Sequence, residues 1–163
     1  MNIHRADELA SALGVQLGIP GLCFNAARSC QLVFDQNWGV TLIHDADRQR
    51  VTLNCSVVGG EQCHQLSRQT LLVMLQANFM EQGSPSATLS IGPDQLAYLQ
   101  TTVMLYEAND NALHISLELL LNHAEVWATR LLKDPPITGQ TDPPPTTPFV
   151  RSFAPEGWAR QRV

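Results

Sequence analysis

Three runs of strand character, CQLVF (30–34), WGVTLIH (38–44) and RVTLNCS (50–56), are separated only by DQN and DADRQ. Connections that short cannot supply the crossover a parallel pair needs, so the runs can join only as antiparallel hairpins. In the third run Val51, Leu53 and Cys55 alternate with Arg50, Thr52, Asn54 and Ser56. A period of two sends the apolar set to one face of a sheet and the polar set to the other. Asp45 and Asp47 of the stretch HDAD fall in the second turn, where Asp is favoured for local hydrogen bonding and tolerance of left-handed backbone. The turn accounts for them without a catalytic His–carboxylate constellation.

Helical periodicity flanks these strands. ADELASALG leads Leu9, Leu13 and Leu17 at a spacing of four. Asp7 and Glu8 are expected in its first turn, where the helix dipole favours acids, and Gly18 and Pro20 stop it. After the loop VGGEQCHQ a second helix is predicted from an N-cap at Ser67 to about Met80. ATLSI (87–91) and LAYLQTTVML (96–105) read as two more strands around the turn GPDQ. Asn109 or Asp110 is placed to cap a last helix, whose stripe is Leu113, Leu117, Leu120, Leu121, Ala124, Trp127 and Leu131. Lys133 and the pair Pro135-Pro136 end it. The order α-β-β-β-α-β-β-α predicts an α+β domain, three helices on an antiparallel sheet, over residues 1–134. Residues 135–163 hold seven of the ten prolines and no periodicity, and are expected to form an extended or disordered tail.

The second helix is too apolar for its position. Leu71, Leu75 and Phe79 share one face, Leu72 flanks them, Val73, Met74, Ala77 and Met80 spread round the rest, and only Gln76 and Asn78 are polar. A surface helix keeps one side for water. Either the sheet and last helix of the same chain cover this one on both sides, or a second copy does. Burying four or five such side chains is worth roughly 6–15 kcal/mol before ordering costs.

Charge and motifs narrow the function. The net charge of −5 divides into −6 over residues 1–134 (7 Lys/Arg, 13 Asp/Glu) and +1 over 135–163 (3 and 2). An acidic body is unsuited to nucleic-acid phosphates, which need clustered Lys and Arg. No apolar run reaches membrane-spanning length, and the start MNIHRADELASALG lacks the basic and apolar regions of a secretory signal. A cytoplasmic protein with no membrane insertion and reduced Cys23, Cys30, Cys55 and Cys63 is expected. No GxxxxGK[ST], GxGxxG or GxSxG occurs. Cys63-His64 is the best candidate for a metal ligand pair or activated thiol, yet no CxxC or HxxxH accompanies it, and His114 and His123 stand well over 10 Å apart on a helix. The expectation is no catalytic residue, no metal site and no cofactor.

The stretch LLVMLQANFMEQGSPSATLSIGPDQL resembles the class I type III secretion chaperones, the Tir-chaperone or CesT-like family. There a leucine-rich second helix ends in an Asn-containing turn, here Leu71 to Asn78. A short strand follows, here Ala87-Thr88-Leu89 with Ile91, and then a turn, here Gly92-Pro93-Asp94. LVFDQNWGVTLIHD and LELLLNHAEVWATRL look like the family's first hairpin and last helix, so the resemblance covers roughly residues 5–133. The length and long tail are similar, more loosely, to general chaperones of the HpaB kind, although a proline-rich tail departs from the compact family core.

The resemblance implies a non-enzymatic homodimer that holds the N-terminal segment of a secreted effector extended and delivers it to the secretion ATPase. It places Leu71, Leu72, Met74, Leu75, Phe79, Leu89 and Ile91 at or near the two-fold seam. On the hairpin, Leu32, Phe34, Trp38, Val40 and Leu42 are candidates for an apolar, strand-adding contact with the effector, though part of this set must serve the core. Phe149, Phe153 and Trp158, beside Arg151, Arg160 and Arg162, are candidates for docking on an acidic partner. A homodimeric adaptor of the same fold without a secreted client is the alternative.

Overall fold

The computed structural model describes residues 3–35, 38–57, 66–94 and 96–132. In chain order these form α1 (Ile3–Leu17), β1 (Ser29–Phe34), β2 (Trp38–Asp45), β3 (Arg50–Ser56), α2 (Arg68–Ala77), a single 3-10 turn (Phe79–Glu81), β4 (Thr88–Ile91), β5 (Ala97–Met104) and α3 (Ala112–Leu132). The fold is α+β. The five strands make one antiparallel sheet in the order β1-β2-β3-β5-β4.

Alternation along the strands sets the two faces. Cys30, Leu32, Val40, Leu42, Val51, Leu53, Cys55 and Leu99 all point to one side and are buried. Helix α3 packs on that side over β3 and β5, and α1 packs against α3. The α3 stripe Leu113, Leu117, Leu120, Ala124, Trp127 and Leu131 is buried as its spacing requires, with Leu121 at its margin. On the opposite face stand Gln31, Val33, Gly39, Gln100 and Thr102, all exposed.

Two helix starts differ from the sequence expectation. Because α1 begins at Ile3, Asp7 and Glu8 lie beyond its first turn, and Asp7 instead pairs with Arg28. Helix α3 begins at Ala112, later than a cap at Asn109 or Asp110 would give. Asn109 shapes the approach, its side-chain oxygen accepting the Asn111 N–H at 3.0 Å, while Asp110 pairs with Arg5. The end of α1 follows the sequence: Gly18 takes φ +70°, the Ile19 N–H donates to the Gly14 carbonyl and the Gly18 N–H to Val15, which is a Schellman ending.

Helix α2 stops early. Ser67 does cap it, accepting the Thr70 N–H, but the helix ends at Ala77 and Met80 is left-handed at φ 52°. A tertiary bond decides the end point. The Asn78 side-chain amide donates to the Leu89 carbonyl at 2.9 Å and accepts the Leu89 N–H at 2.8 Å, so it pairs with β4 as a neighbouring strand would. The chain then doubles back until the Gly83 N–H reaches the Ala77 carbonyl at 3.0 Å. That contact admits only glycine, because a Cβ at 83 would lie 2.3 Å from the Ala77 Cβ.

Candidate functional site

The exposed side of α2 is apolar. Leu71, Leu72, Leu75, Phe79 and Met80 are exposed, Leu75 to 67% and Phe79 to 64%, and Ile91 on nearby β4 to 43%. Met74 and Leu89 point the other way and are buried in the core of their own chain. The seven residues picked out for a seam thus separate into five that present an apolar surface and two that do not.

The hairpin candidates separate in the same manner. Leu32, Val40 and Leu42 are interior, with Val40 and Leu42 fully buried, so a folded protomer cannot offer them to a client. They are buried because α1 and α3 need an apolar sheet face to lie on. Phe34 and Trp38 are half-buried at the end of the hairpin and pack on the core. The tail candidates Phe149, Phe153 and Trp158 lie outside the described residues, as does the Cys63-His64 pair.

Backbone geometry shows which strand edge is open. The His44 N–H donates to the Arg28 carbonyl at 2.9 Å, in register with the β1–β2 ladder. Bonding pairs alternate along such a ladder, so Cys30, Leu32 and Phe34 bond to β2, and Ser29, Gln31 and Val33 turn their backbone groups outward. Ser29 is already occupied, its N–H and carbonyl both engaged by Asn25. Gln31 and Val33 remain open among the described residues, and Val33 is 71% exposed. The β4 edge differs: Leu89 is engaged by Asn78 on both groups, and the Ala87 N–H by Ser84. Neither the Asn78 clamp nor the open pair on β1 could be read from residue types, since both depend on ladder phase.

One polar cluster lies beneath the hairpin, with His44 buried and Arg28 and Asp7 half-buried. His44 accepts at Nδ1 from Arg28 Nε at 3.0 Å, and its Nε2 is buried without a partner. Arg28 also donates to Asp7 at 3.0 Å and lies over the Phe24 ring at 5.2 Å. Because guanidinium only donates, His44 is neutral, with its proton on Nε2. Burial, then the Arg28 charge, lower its pKa below the ordinary 6.5, against weaker opposing effects of Asp7 and Asp45. The unfolded chain therefore binds one more proton than the folded one once pH drops below about 6.5, and stability is lost from there downward, at up to about 1.4 kcal/mol per pH unit. Urea unfolding at several pH values between 7 and 5 should show a smaller loss in His44→Gln than in the parent. Equal slopes would assign the loss to other groups. In the turn that follows, Asp45 accepts from the Arg48 N–H and from the Arg48 and Arg50 side chains, as a turn residue does.

No group of three or more His, Cys, Asp or Glu able to hold a metal ion exists among the described residues, and none of their helices is long and apolar enough to cross a membrane. What they offer is surface, including the apolar side of α2 and the open edge of β1. A family model described as "Tir chaperone protein (CesT) family" matches residues 8–128, most of the chain. The chain belongs to the Tir chaperone (CesT) family. As a member of it, this protein is a type III secretion chaperone that binds effectors. Solved structures share the fold of this CesT-family chaperone at low sequence identity. The crystal structure of the ExsC-ExsE complex aligns with a TM-score of 0.71 at 22% identity, covering 85% of this chain and 99% of that one. The HopA1-SchA chaperone-effector complex gives 0.65 at 15%, covering 77% and 94%. The Yersinia pestis type III secretion chaperone SycH, in complex with a stable fragment of YscM2, gives 0.59 at 16%, covering 77% and 98%. No curated protein matches the chain.

Proposed function

We propose that this CesT-family chaperone works in the cytoplasm as a homodimer, without catalysis, joined through the exposed side of α2. In this reading it holds the N-terminal segment of an effector as an added strand on β1 and hands it to the secretion ATPase. The observation that carries the client reading is the open β1 edge, where Gln31 and Val33 present backbone groups beside a half-buried Phe34 and Trp38. Backbone pairing suits a chaperone, because it gives affinity that depends little on client sequence. Complexes such as HopA1-SchA, in which a chaperone of this fold is bound to an effector, support the same class of client. The chain from 135 onward, with Phe149, Phe153 and Trp158 among arginines, fits an arm that docks on an acidic surface of the secretion apparatus.

A substitution at one edge residue tests the client reading. Val33→Pro removes an outward N–H and leaves the β1–β2 bonds of Leu32 and Phe34 in place. Affinity for an effector N-terminal segment, measured by calorimetry, should fall about tenfold, the worth of roughly one hydrogen bond with its displaced neighbours. The melting temperature should stay near that of the parent. Affinity should also change little between low and moderate salt, since apolar and backbone contacts are screened far less than charge pairs. Unchanged affinity in a folded Val33→Pro protein would move the client away from β1.

A further inference from the structure

Strand β5 outruns its neighbour. β4 pairs with it only from Ala97 to Gln100, and no strand lies beside Thr101–Met104 on that side. The bond from the Gly92 N–H to the Leu96 carbonyl, in register with this ladder, fixes the phase: even-numbered β5 residues direct their backbone groups toward β4. The N–H and carbonyl of Thr102 and the N–H of Met104 therefore face the space where β4 has ended, and they have no partner among the described residues. Beside this half-edge α3 exposes apolar side chains: Ile115, 49% exposed, lines the adjoining groove, and Leu119, 44% exposed, follows one turn on beside Ser86 and Thr101. Between strand and helix runs an open groove of about 320 Å³, lined among others by Thr102, Met104, Glu107, Ala112 and Ile115.

We propose that this groove seats the chain's own tail, with residues 149–153 lying as a short strand against Thr102–Met104. The sequence there is FVRSF, so an extended segment sends Phe149, Arg151 and Phe153 to one side, where the two rings meet Ile115 and Leu119. Reach permits it. The tail leaves from the end of α3 and must return from Leu132 to Ile115, about 25 Å at 1.5 Å per residue. The segment 133–148 spans roughly 50 Å at about 3.1 Å per residue, leaving slack for the reversal. Charge favours it as well. Residues 149–163 hold three arginines and one glutamate, whereas Glu107 lines the groove and Glu118 lies one turn along α3 from Ile115. A tethered segment has an effective concentration in the millimolar range, well above that of any free peptide. The contact covers a strand edge that would otherwise invite another chain. It leaves the β1 edge to the client, and it assigns Phe149 and Phe153 to the groove rather than to the docking arm, which keeps Trp158.

Amide hydrogen exchange by NMR on the full chain tests it, comparing the parent with the double variant Phe149→Asp/Phe153→Asp. The Thr102 and Met104 amides should exchange at least about tenfold more slowly in the parent. Ile115→Asp, at a half-exposed position that the fold tolerates, should accelerate the same two amides. Equal rates in all three proteins would overturn the proposal. So would protection that grows with protein concentration, which would place a second copy in the groove. Protection that arises only on adding an effector segment would assign the groove to the client and overturn it equally.

Discussion

Leu75→Asp combined with Phe79→Asp is expected to reduce the mass in light scattering from twice the chain's 18.0 kDa to that value at micromolar concentration. Both side chains are about two-thirds exposed on the protomer, so their replacement removes little internal packing. Surface changes of this kind usually alter stability by no more than about 0.5 kcal/mol. Across a two-fold seam the pair occurs twice. Four buried Leu and Phe side chains contribute roughly 6–12 kcal/mol, against an association cost of similar size. Losing that contribution, and forcing four carboxylates into the contact, shifts the dissociation constant by several powers of ten. Met74→Ala offers a contrast. Met74 is buried in its own chain, so its truncation should lower the melting temperature and leave the dimer mass intact. An unshifted dimer from the Asp pair would place the interface elsewhere, and a parent protein of 18.0 kDa would remove the dimer altogether.

The strands were legible because alternation is a local signal. Val51, Leu53 and Cys55 against Thr52, Asn54 and Ser56 declare a half-buried strand whatever surrounds them, and the observed β3 has the expected bounds. What a local pattern cannot say is which surface a face meets. Leu32, Val40 and Leu42 form the more apolar side of the hairpin, which made them candidates for a client, yet the same quality suits them to receive α1 and α3. The open positions on that hairpin are Gln31 and Val33, distinguished by ladder phase rather than by residue type. The end of α2 escaped sequence reading for a related reason. Nothing in QANFM forbids another helical turn, and the stop comes from Asn78 bonding to Leu89, eleven positions further on. His44 did carry a faint signal, since it continues the alternation of Val40 and Leu42 into the interior. Its partner Arg28, and Asp7 that Arg28 also bonds, come from a loop and a helix that no periodicity links to it.

Trp127→Ala should have the largest effect on stability of any substitution in the chain. Trp127 is 1% exposed, toward the C-terminal end of the buried α3 stripe, and truncating a buried Trp costs about 3–5 kcal/mol. Domains of this size are stable by only about 5–15 kcal/mol, so a large share of the total is lost. The loss is also directed. The indole N–H donates to the Gly83 carbonyl at 3.2 Å, and Gly83 is the residue packed against Ala77 at the end of α2. Trp127 therefore fastens the reversal that brings Asn78 onto β4 and sets the angle of the apolar α2 side. Trp127→Phe keeps most of the ring area and gives up the hydrogen bond. It should cost about 1–3 kcal/mol, largely from the Gly83 carbonyl left without its donor. Chemical denaturation orders the three proteins, and exchange at the Leu89 amide reads the fastening itself. In Trp127→Phe that amide should be released earlier than the amides of β3, which do not depend on the reversal. If Leu89 and β3 lost protection in parallel, the indole would be plain core filling and the reversal would be held by Asn78 alone.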